Sequence, residues 1–427
     1  MSIKIHNTLT RKKTEFKPIK RHRLSFYGCG PTVYHYQHLG NMRTYLMNDL
    51  VHRVFLYHGY KVKHIINITD VGHLTSDADT GEDKMEKAKQ RENKSVWEVA
   101  DFYTESFLDF RQRLNLLPPT KYVKATECIK AQIKLVKRLF KKGYLYKITD
   151  GLYFDTAKLN DYGKLARLDV KNLRAGARIE HNSEKRNITD FVVWKFSPTD
   201  KQRDMEWHSP WGKGFPGWHL ECSVISAKAL GQPFDLHSGG VDHIPVHHTN
   251  EIAQSEAACG KPLANYWIHF EHLTIGTEKI AKSSGSFLTL DDLTDRNIDP
   301  LAFRYLSLQT HYGKRTEFSW QSLAAATVAY DNLRHRIAEI SSTGRVDEAY
   351  RQMFMTAIGD DFNLPQALAI TWDLLKDQTV TPADKKATIL DFDRVLGLNL
   401  AAPLPTADIP TKIKELAAAR WQAKLNR

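Results

Sequence analysis

The chain has 427 residues, of which 42% are hydrophobic and 26% are charged, a composition that excludes a disordered chain and indicates several folded domains. Lys and Arg outnumber Asp and Glu by 61 to 49, which gives a net charge of +12. This charge favours a polyanionic partner such as RNA; the alternative explanation is that it serves solubility alone. The four cysteines are far apart in sequence, which argues against a disulfide framework. No uncharged apolar run reaches the length of about 18 residues that a membrane-spanning helix needs.

The N-terminal segment lacks the apolar core of a signal peptide, and residues 3–7 alternate in the manner of a strand. We therefore expect a cytoplasmic protein that begins with folded structure and has no membrane partner. The alternative is an organellar presequence, which the basic residues of this segment would also suit.

The next elements predict a parallel sheet. Residues 24–27 form a short apolar strand, residues 28–31 break it, and residues 45–58 repeat apolar side chains at the intervals of a helix. A second strand over 62–68 completes a strand–helix–strand unit, the building block of a parallel sheet. The pattern then predicts helices over 95–114 and 125–142, a β-rich stretch over 144–166, a helix over 217–230, a strand over 234–237, a helix over 247–259, and C-terminal helices over 322–340, 347–358, 364–375, 385–396 and 411–425.

Three motifs have features of phosphate-binding segments. His38-Leu39-Gly40-Asn41 opens the first long helix, where backbone N–H groups favour phosphate and Gly40 lets a nucleotide approach. Lys279-Ile280-Ala281-Lys282-Ser283 precedes a flexible glycine, and such a loop can neutralise charge that develops in nucleotidyl transfer. Residues 235–242 follow an apolar strand, as a nucleotide-contacting turn would. The structural alternatives are an ordinary capped helix, a solvated basic turn and a Gly-rich loop without a ligand.

A fourth set of residues consists of the ligand types that bind transition metals. His247 and Glu251 are four residues apart and therefore share a helix face. Cys29 lies on the first strand–helix turn and Cys222 lies far along the chain, so that only the fold could unite them in a zinc site. His243 and His248 are rivals of His247 on local grounds, and Cys128 and Cys259 are expected to be small core residues.

In this order, the motifs resemble the class I aminoacyl-tRNA synthetases, and among them the cysteinyl-tRNA synthetase family. His38-Leu39-Gly40-Asn41 looks like the family's HIGH signature, and Lys279-Ile280-Ala281-Lys282-Ser283 looks like its KMSKS loop. Further matching runs are Cys29-Gly30-Pro31-Thr32, Asn67-Ile68-Thr69-Asp70, Pro216-Gly217-Trp218-His219-Leu220-Glu221-Cys222 and His247-His248-Thr249-Asn250-Glu251.

The resemblance implies an enzyme that ligates L-cysteine to tRNA(Cys) through a cysteinyl-adenylate, with Mg²⁺ accompanying ATP. The zinc ligands of the family fall on Cys29, Cys222, His247 and Glu251, and zinc would select the thiolate of cysteine over the hydroxyl of serine. The implied catalytic residues are His38, Asn41, Lys279, Lys282 and Ser283. The residues implied to contact ATP are His38, Gly40, Asn41, His237, Gly239, Gly240, Asp242 and Lys282, and those implied to contact cysteine are Cys29, Gly30, Thr69 and Trp218.

The expected fold is α/β: a Rossmann-like, doubly wound parallel sheet with an inserted connective domain, followed by an α-helical bundle that binds tRNA. The chain is expected to be a monomer. The predicted domains are a first half of the catalytic domain over 1–117, a connective insertion over 118–205, a second half of the catalytic domain over 206–275, a KMSKS-loop and stem-contact region over 276–320, an anticodon-side bundle over 321–402, and a short basic tail over 403–427.

The sequence departs from the family pattern at Asn41, where HIGH ends in His, and at Ile280 and Ala281 of the lysine loop. Both lysines of the loop are retained, so altered loop kinetics are expected and activity is not expected to be lost. Ser238 and Val241 also differ from the family's Gly-rich turn.

Two alternatives remain at this stage. One is the mycothiol-type cysteine ligase, a paralogue with an amino-sugar acceptor, against which Glu251 and the net charge of +12 argue. The other is a non-catalytic RNA-binding relative, in which the lysines and the zinc ligands would be eroded. The short C-terminal tail is expected to make anticodon reading weak, with Trp421 either stacked on a base or anchoring its helix to the bundle.

Overall fold

The structure of the protein, a computed structural model, describes residues 2–72, 83–168, 183–198, 203–275, 288–404 and 411–425. The strands are β1 Lys4–Asn7, β2 Lys12–Glu15, β3 Arg23–Gly28, β4 Lys61–Ile68, β5 Lys121–Lys124, β6 Leu145–Ile148, β7 Gly151–Phe154, β8 Phe191–Phe196, β9 Trp207–Ser209, β10 Gly212–Pro216, β11 Phe234–Gly240, β12 Ala264–Phe270, β13 Leu273–Ile275 and β14 Thr316–Phe318. The helices are α1 Leu39–Tyr57, α2 Lys84–Glu92, α3 Val96–Arg113, α4 Ile129–Lys141, α5 Trp218–Leu230, α6 His247–Cys259, α7 Asp291–Thr294, α8 Pro300–Leu308, α9 Trp320–Ala338, α10 Glu348–Gly359, α11 Leu364–Lys376, α12 Pro382–Leu396 and α13 Thr411–Leu425. None of the helices within these described ranges is both long and apolar enough to cross a membrane.

A five-stranded sheet in the order β12-β11-β3-β4-β5 forms the centre of the fold, and all neighbouring strands in it are parallel. Every residue of β11 is buried, as expected for a parallel sheet that is covered on both faces. The order reverses at β3, because β4 is added on one side of it and β11 on the other. Open α/β sheets bind ligands outside the carboxyl ends of the strands at such a reversal. The crevice after Gly28 and Gly240 is therefore the expected place for a site.

The predicted strand–helix–strand unit is confirmed as β3, α1 and β4, but two element limits were predicted wrongly. Helix α1 begins at Leu39 instead of residue 45, because the side chain of His38 caps it by accepting a hydrogen bond from the backbone N of Asn41 at 3.3 Å. Strand β11 continues past residue 237 to Gly240, because its polar end is satisfied inside the protein: the hydroxyl of Ser238 donates to Asn48 Oδ1 at 2.5 Å.

A second, antiparallel sheet in the order β6-β7-β8-β10-β9 is encoded between β5 and α5. Strand β5 lies within the predicted insertion over 118–205 but pairs with β4 of the central sheet. Strands β9 and β10 lie beyond residue 205 and pair within the antiparallel sheet. Drawn by sheet membership, the inserted strands therefore run from Leu145 to Pro216, whereas the domain limits themselves stay a prediction.

The C-terminal part of the chain is helical, and the helices predicted there are confirmed as α9 to α13. Three helices, α2, α7 and α8, were not predicted, and neither was strand β12. In α13, Trp421 is 61% exposed, and its neighbour on the same helix, Leu416, is 63% exposed. The interpretation of Trp421 as an anchor of α13 on the bundle is therefore wrong for this structure.

One buried ionic cluster joins α1 to the helical region. Arg304 of α8 is fully buried and donates from Nη2 to Asp49 Oδ2 at 2.7 Å and from Nε to the carbonyl oxygen of Leu396 at 2.6 Å. Arg53 donates from Nε to the same carboxylate at 2.8 Å and from Nη1 to the carbonyl oxygen of Arg394 at 3.0 Å. The middle of α1 is thus bonded to α8 directly and to the end of α12 through two arginines.

Candidate active site

A cavity of about 690 Å³ opens at the carboxyl ends of β3 and β11, where the order of the central sheet reverses. The turn after β3 forms its floor, and the backbone N of Cys29 in this turn donates to the carbonyl oxygen of Ser238 at 3.2 Å. The first turn of α1, the end of β4, the start of α5 and the segment after β11 supply its walls.

The cavity brings together most of the residues that the sequence predicted for the site. Its lining includes eleven of them: Cys29, Gly30, His38, Gly40, Asn41, Thr69, Trp218, Cys222, Gly240, Asp242 and His247. Glu251 is fully buried next to this lining, because it lies one helical turn beyond His247 on α6. Lys279, Lys282 and Ser283 lie outside the described residues.

His237 and Gly239, which were predicted to contact ATP, are buried in β11 and do not line the cavity. His237 instead contacts Glu251, with Nε2 3.0 Å from Oε2, and its ring stacks on Trp267 at a centroid distance of 4.4 Å. This placement suits a residue that holds Glu251 in position better than it suits a nucleotide contact.

The four predicted zinc ligands converge at the wall of the cavity, three of them in its lining. Cys29, Cys222, His247 and Glu251 are all buried, and one ligand atom from each lies within 4.8 Å of all the others. Two sulfurs, an imidazole nitrogen and a carboxylate oxygen form a donor set typical of tetrahedral zinc. Two further sets of residues satisfy the same distance limit, so His243 and His248 remain alternative ligands to His247. These sets are Cys29, His243, His247 and His248, and Cys29, His237, His248 and Glu251.

Burial and mutual contacts shift the pKa values of all four predicted zinc ligands. Burial would raise the pKa of Cys29, but hydrogen bonding with Cys222, His243 and His247 lowers it well below its usual range. Burial and the neighbouring Cys29 raise the pKa of Cys222. Burial lowers the pKa of His247, but the charge of Glu251 outweighs burial and raises this pKa to about 10. Burial raises the pKa of Glu251, but His237 and His247 outweigh it and lower this pKa to about 2. The cluster thus retains protons on Cys222 and His247, which a divalent cation would displace.

Two neutral histidines, His248 and His269, form a hydrogen-bonded chain that ends at Cys29. The sequence analysis did not predict this chain. His248 Nε2 lies 3.2 Å from Cys29 Sγ, His248 Nδ1 lies 2.8 Å from His269 Nε2, and His269 Nδ1 lies 2.8 Å from the hydroxyl of Thr8. Burial lowers the pKa of His248 to about 4 and lowers that of His269 well below its usual range. His248 therefore has a structural task of its own as a neutral hydrogen-bonding partner of Cys29.

Two glycines in the lining allow neighbouring groups to approach the backbone closely. A Cβ atom on Gly30 would lie 1.7 Å from the carbonyl oxygen of Asn67, so that no other residue fits between β3 and β4 here. A Cβ atom on Gly40 would lie 2.9 Å from the ring of His38, which occupies the space over the first turn of α1. Burial and His35 lower the pKa of His38, so this imidazole is present in neutral form at the helix N-terminus. An N-terminus of this kind can receive a phosphate group.

Comparisons with known proteins define the class first. A family model described as "tRNA synthetases class I (C) catalytic domain" matches residues 15–328. The structure of Mycobacterium tuberculosis methionyl-tRNA synthetase in complex with methionyl-adenylate is similar with a TM-score of 0.59 over 88% of this chain and 90% of that one, at 14% identity. The two chains therefore share a fold, and the predicted α/β class with a helical C-terminal region is confirmed.

The particular family follows from two sequence relatives. Cysteine–tRNA ligase 1 of Burkholderia lata is 50% identical over 426 residues, which are 99% of this chain and 90% of the relative. The cysteine–tRNA ligase of Treponema denticola is 42% identical over 94% of this chain and 87% of the relative. The chain therefore belongs to the cysteine–tRNA ligase family of class I aminoacyl-tRNA synthetases and is an enzyme of that family. The resemblance stated from the motifs is thereby confirmed.

Proposed function

We propose that this enzyme activates L-cysteine with ATP as cysteinyl-adenylate and then transfers the cysteinyl group to tRNA(Cys). One observation carries the proposal: a single cavity at the sheet reversal brings a buried S, S, N, O donor set together with the N-terminus of α1. The names of the relatives and the net charge of +12 support tRNA as the acceptor and do not favour the amino-sugar alternative.

The donor set fits one zinc ion per chain, held by Cys29, Cys222, His247 and Glu251. When bound, the ion supplies a soft partner for a thiolate and so favours the sulfur of cysteine over the oxygen of serine, which shape alone separates poorly. His237 would fix the orientation of Glu251, and His248 that of Cys29.

The first step needs positioning and charge stabilisation but no nucleophilic side chain. A carboxylate oxygen of cysteine attacks the α-phosphorus of ATP, the bond from that phosphorus to the bridging oxygen breaks, and pyrophosphate leaves. Mg²⁺ bound with ATP would neutralise part of the phosphate charge. His38 and Asn41 would bind the phosphates at the N-terminus of α1. Lys282 would stabilise the charge of the transition state, and Lys279 and Ser283 would order the loop that carries it.

In the second step, a ribose hydroxyl of the terminal adenosine of tRNA attacks the carbonyl carbon of the adenylate. The bond from this carbon to the phosphate oxygen breaks, AMP leaves, and the hydroxyl proton is released to phosphate or water. Trp218 and Thr69 would hold the aminoacyl part during this transfer, since both line the cavity and the Trp218 ring lies 4.3 Å from that of His247.

The proposal is tested with two assays on the same preparation. Pyrophosphate exchange should depend on cysteine and should be at least a hundredfold slower with serine. Labelled cysteine supplied with ATP should then be transferred to tRNA(Cys) and not to glucosaminyl-inositol. Exchange without transfer to tRNA, or transfer to the amino-sugar, would contradict the proposed acceptor, and equal exchange with serine would contradict selection through sulfur.

A further inference from the structure

The wall of the cavity next to the metal-type cluster carries a lysine to which the resemblance gave no role. Lys84 is half-buried and lines the cavity, with Nζ 5.7 Å from the ring centroid of Tyr34 and 5.8 Å from that of Trp218. Trp218 in turn contacts the ring of His247. Lys84 therefore shares a ring neighbour, Trp218, with the predicted zinc ligand His247.

The backbone below Lys84 is fixed in place. Asp83 caps α2 by accepting hydrogen bonds from the backbone N atoms of Met85 at 2.7 Å and Glu86 at 3.1 Å. The same carboxylate pairs with Arg203, and both side chains are more than nine-tenths buried. Arg203 also lies flat against Phe215, with its guanidinium carbon 3.6 Å from the ring centroid. These contacts fix the position of the first turn of α2, and with it the backbone of Lys84, in the cavity wall.

Helix stability does not explain a lysine at this position. Lys84 is the first residue of α2, where the helix dipole favours acidic side chains and disfavours a cation. The rings of Tyr34 and Trp218 stabilise an ammonium group at this half-buried position in the cavity wall. The position thus supplies a positive charge to the cavity at some cost to the helix.

We propose that Lys84 binds the α-carboxylate of the amino-acid substrate and holds it for attack on ATP. The inference rests on the proposed function, because it takes the sulfur of cysteine to lie at the cluster of Cys29, Cys222, His247 and Glu251. Because cysteine is a short molecule, its carboxylate must lie close to the cluster that binds its sulfur. Lys84 supplies an ammonium group to the cavity wall next to this cluster. The other cationic side chain of the described lining, Arg315, comes from the far segment of the chain next to β14 and is 73% exposed.

The test compares cysteine with cysteamine, which has the same thiol and amine but no carboxylate. Binding of both compounds is measured by calorimetry on the zinc-loaded, full-length protein. The wild type should bind cysteine more tightly, and Lys84→Met should weaken cysteine binding by about 10- to 100-fold, as for a lost charge-assisted hydrogen bond, while cysteamine affinity stays within twofold. Lys84→Arg, which keeps the charge, should restore most of the preference for cysteine. Lys87→Met, an exposed change on the same helix, serves as the matched control and should leave both affinities unchanged.

Three results would overturn the inference. Equal losses for cysteine and cysteamine would mean that Lys84 only shapes the cavity. An unchanged affinity for cysteine together with weaker binding of ATP would place the lysine on the phosphates. If the wild type binds neither thiol compound, the proposed function itself fails, and this outcome is distinct from a failure of Lys84 alone.

Discussion

The change Asp49→Asn tests how strongly the buried ionic cluster holds α1 against the helical region. Asp49 Oδ2 accepts hydrogen bonds from Arg304 and Arg53, and Oδ1 accepts one from the backbone N of Leu117 at 2.7 Å. The asparagine keeps the shape of the side chain but removes its charge, which leaves two buried guanidinium groups without their counterion. The perturbation is therefore electrostatic, and packing changes little.

The size of the effect follows from the burial and from the pKa. Burial raises the pKa of Asp49, but Arg304 and Arg53 overcome it and lower the value to about 2, against 3.8 ordinarily. The difference corresponds to roughly 2.4 kcal/mol of stability from ionisation alone. Removing one partner of a buried ion pair costs about 3–5 kcal/mol in total, because the remaining charges stay desolvated. At roughly 2–4 °C per kcal/mol, the melting temperature should fall by roughly 6–20 °C.

The pH dependence has a defined sign. Because the folded pKa lies below the unfolded one, this stability is complete above about pH 4 and is lost as the pH falls from there through about 2. At pH 3 the wild type should already have lost about 1 kcal/mol of it, so the gap between wild type and Asp49→Asn should narrow.

The assay is thermal unfolding of both proteins, followed by fluorescence at pH 7 and at pH 3. The matched control is Asp109→Asn, whose carboxylate is 62% exposed and lies 3.4 Å from Arg113, and it should cost less than about 1 kcal/mol. Equal shifts in melting temperature for the two variants at pH 7 would contradict an electrostatic role of Asp49, and so would a difference between wild type and Asp49→Asn that is larger at pH 3 than at pH 7.

Three further predictions concern the site and the tail. Cys222→Ser should lower the zinc content and abolish cysteine-dependent pyrophosphate exchange, whereas Cys128→Ser should leave both nearly unchanged; full zinc occupancy in the first variant would rule Cys222 out as a ligand. Lys282→Ala should slow adenylation at least tenfold more than it weakens cysteine binding, as measured by single-turnover kinetics against calorimetry, and equal losses would indicate a ground-state role. Trp421→Ala should change the melting temperature by less than about 2 °C because this ring is 61% exposed, and a larger loss would restore its interpretation as an anchor.

The elements that sequence reasoning found and missed differ in how clearly they are patterned. Helix α6 was predicted with the limits that the structure has, since capping glycine and helical spacing agree. Helix α2 has only Met85 and Ala88 buried, too few apolar positions to show a period. Helix α8 fails for the opposite reason: every residue from Leu301 to Leu308 is buried, so no polar face marks its period.

The site was predictable only in part, because its residues meet through the fold. Cys29 and Cys222 were brought together by the resemblance, since local spacing could not join two distant single cysteines. The supporting chain from His248 through His269 to Thr8 left no local signal, as it joins α6 to β12 and to the first turn of the chain. Lys84 was overlooked together with its helix, and its two aromatic neighbours come from separate segments.

Helix α1 has a mechanical consequence for the enzyme. Its first turn lies in the cavity at His38, and its last residue, Tyr57, donates a hydrogen bond to Asp391 of α12. A helix of 19 residues is roughly 28 Å long and nearly inextensible, so its two ends move together as parts of one rigid body. Loading of α12 by a large partner would therefore tilt the very turn that is proposed to receive ATP. The contact between Tyr57 and Asp391 thus lies on the same rigid element as the cap at His38, at the opposite end of it.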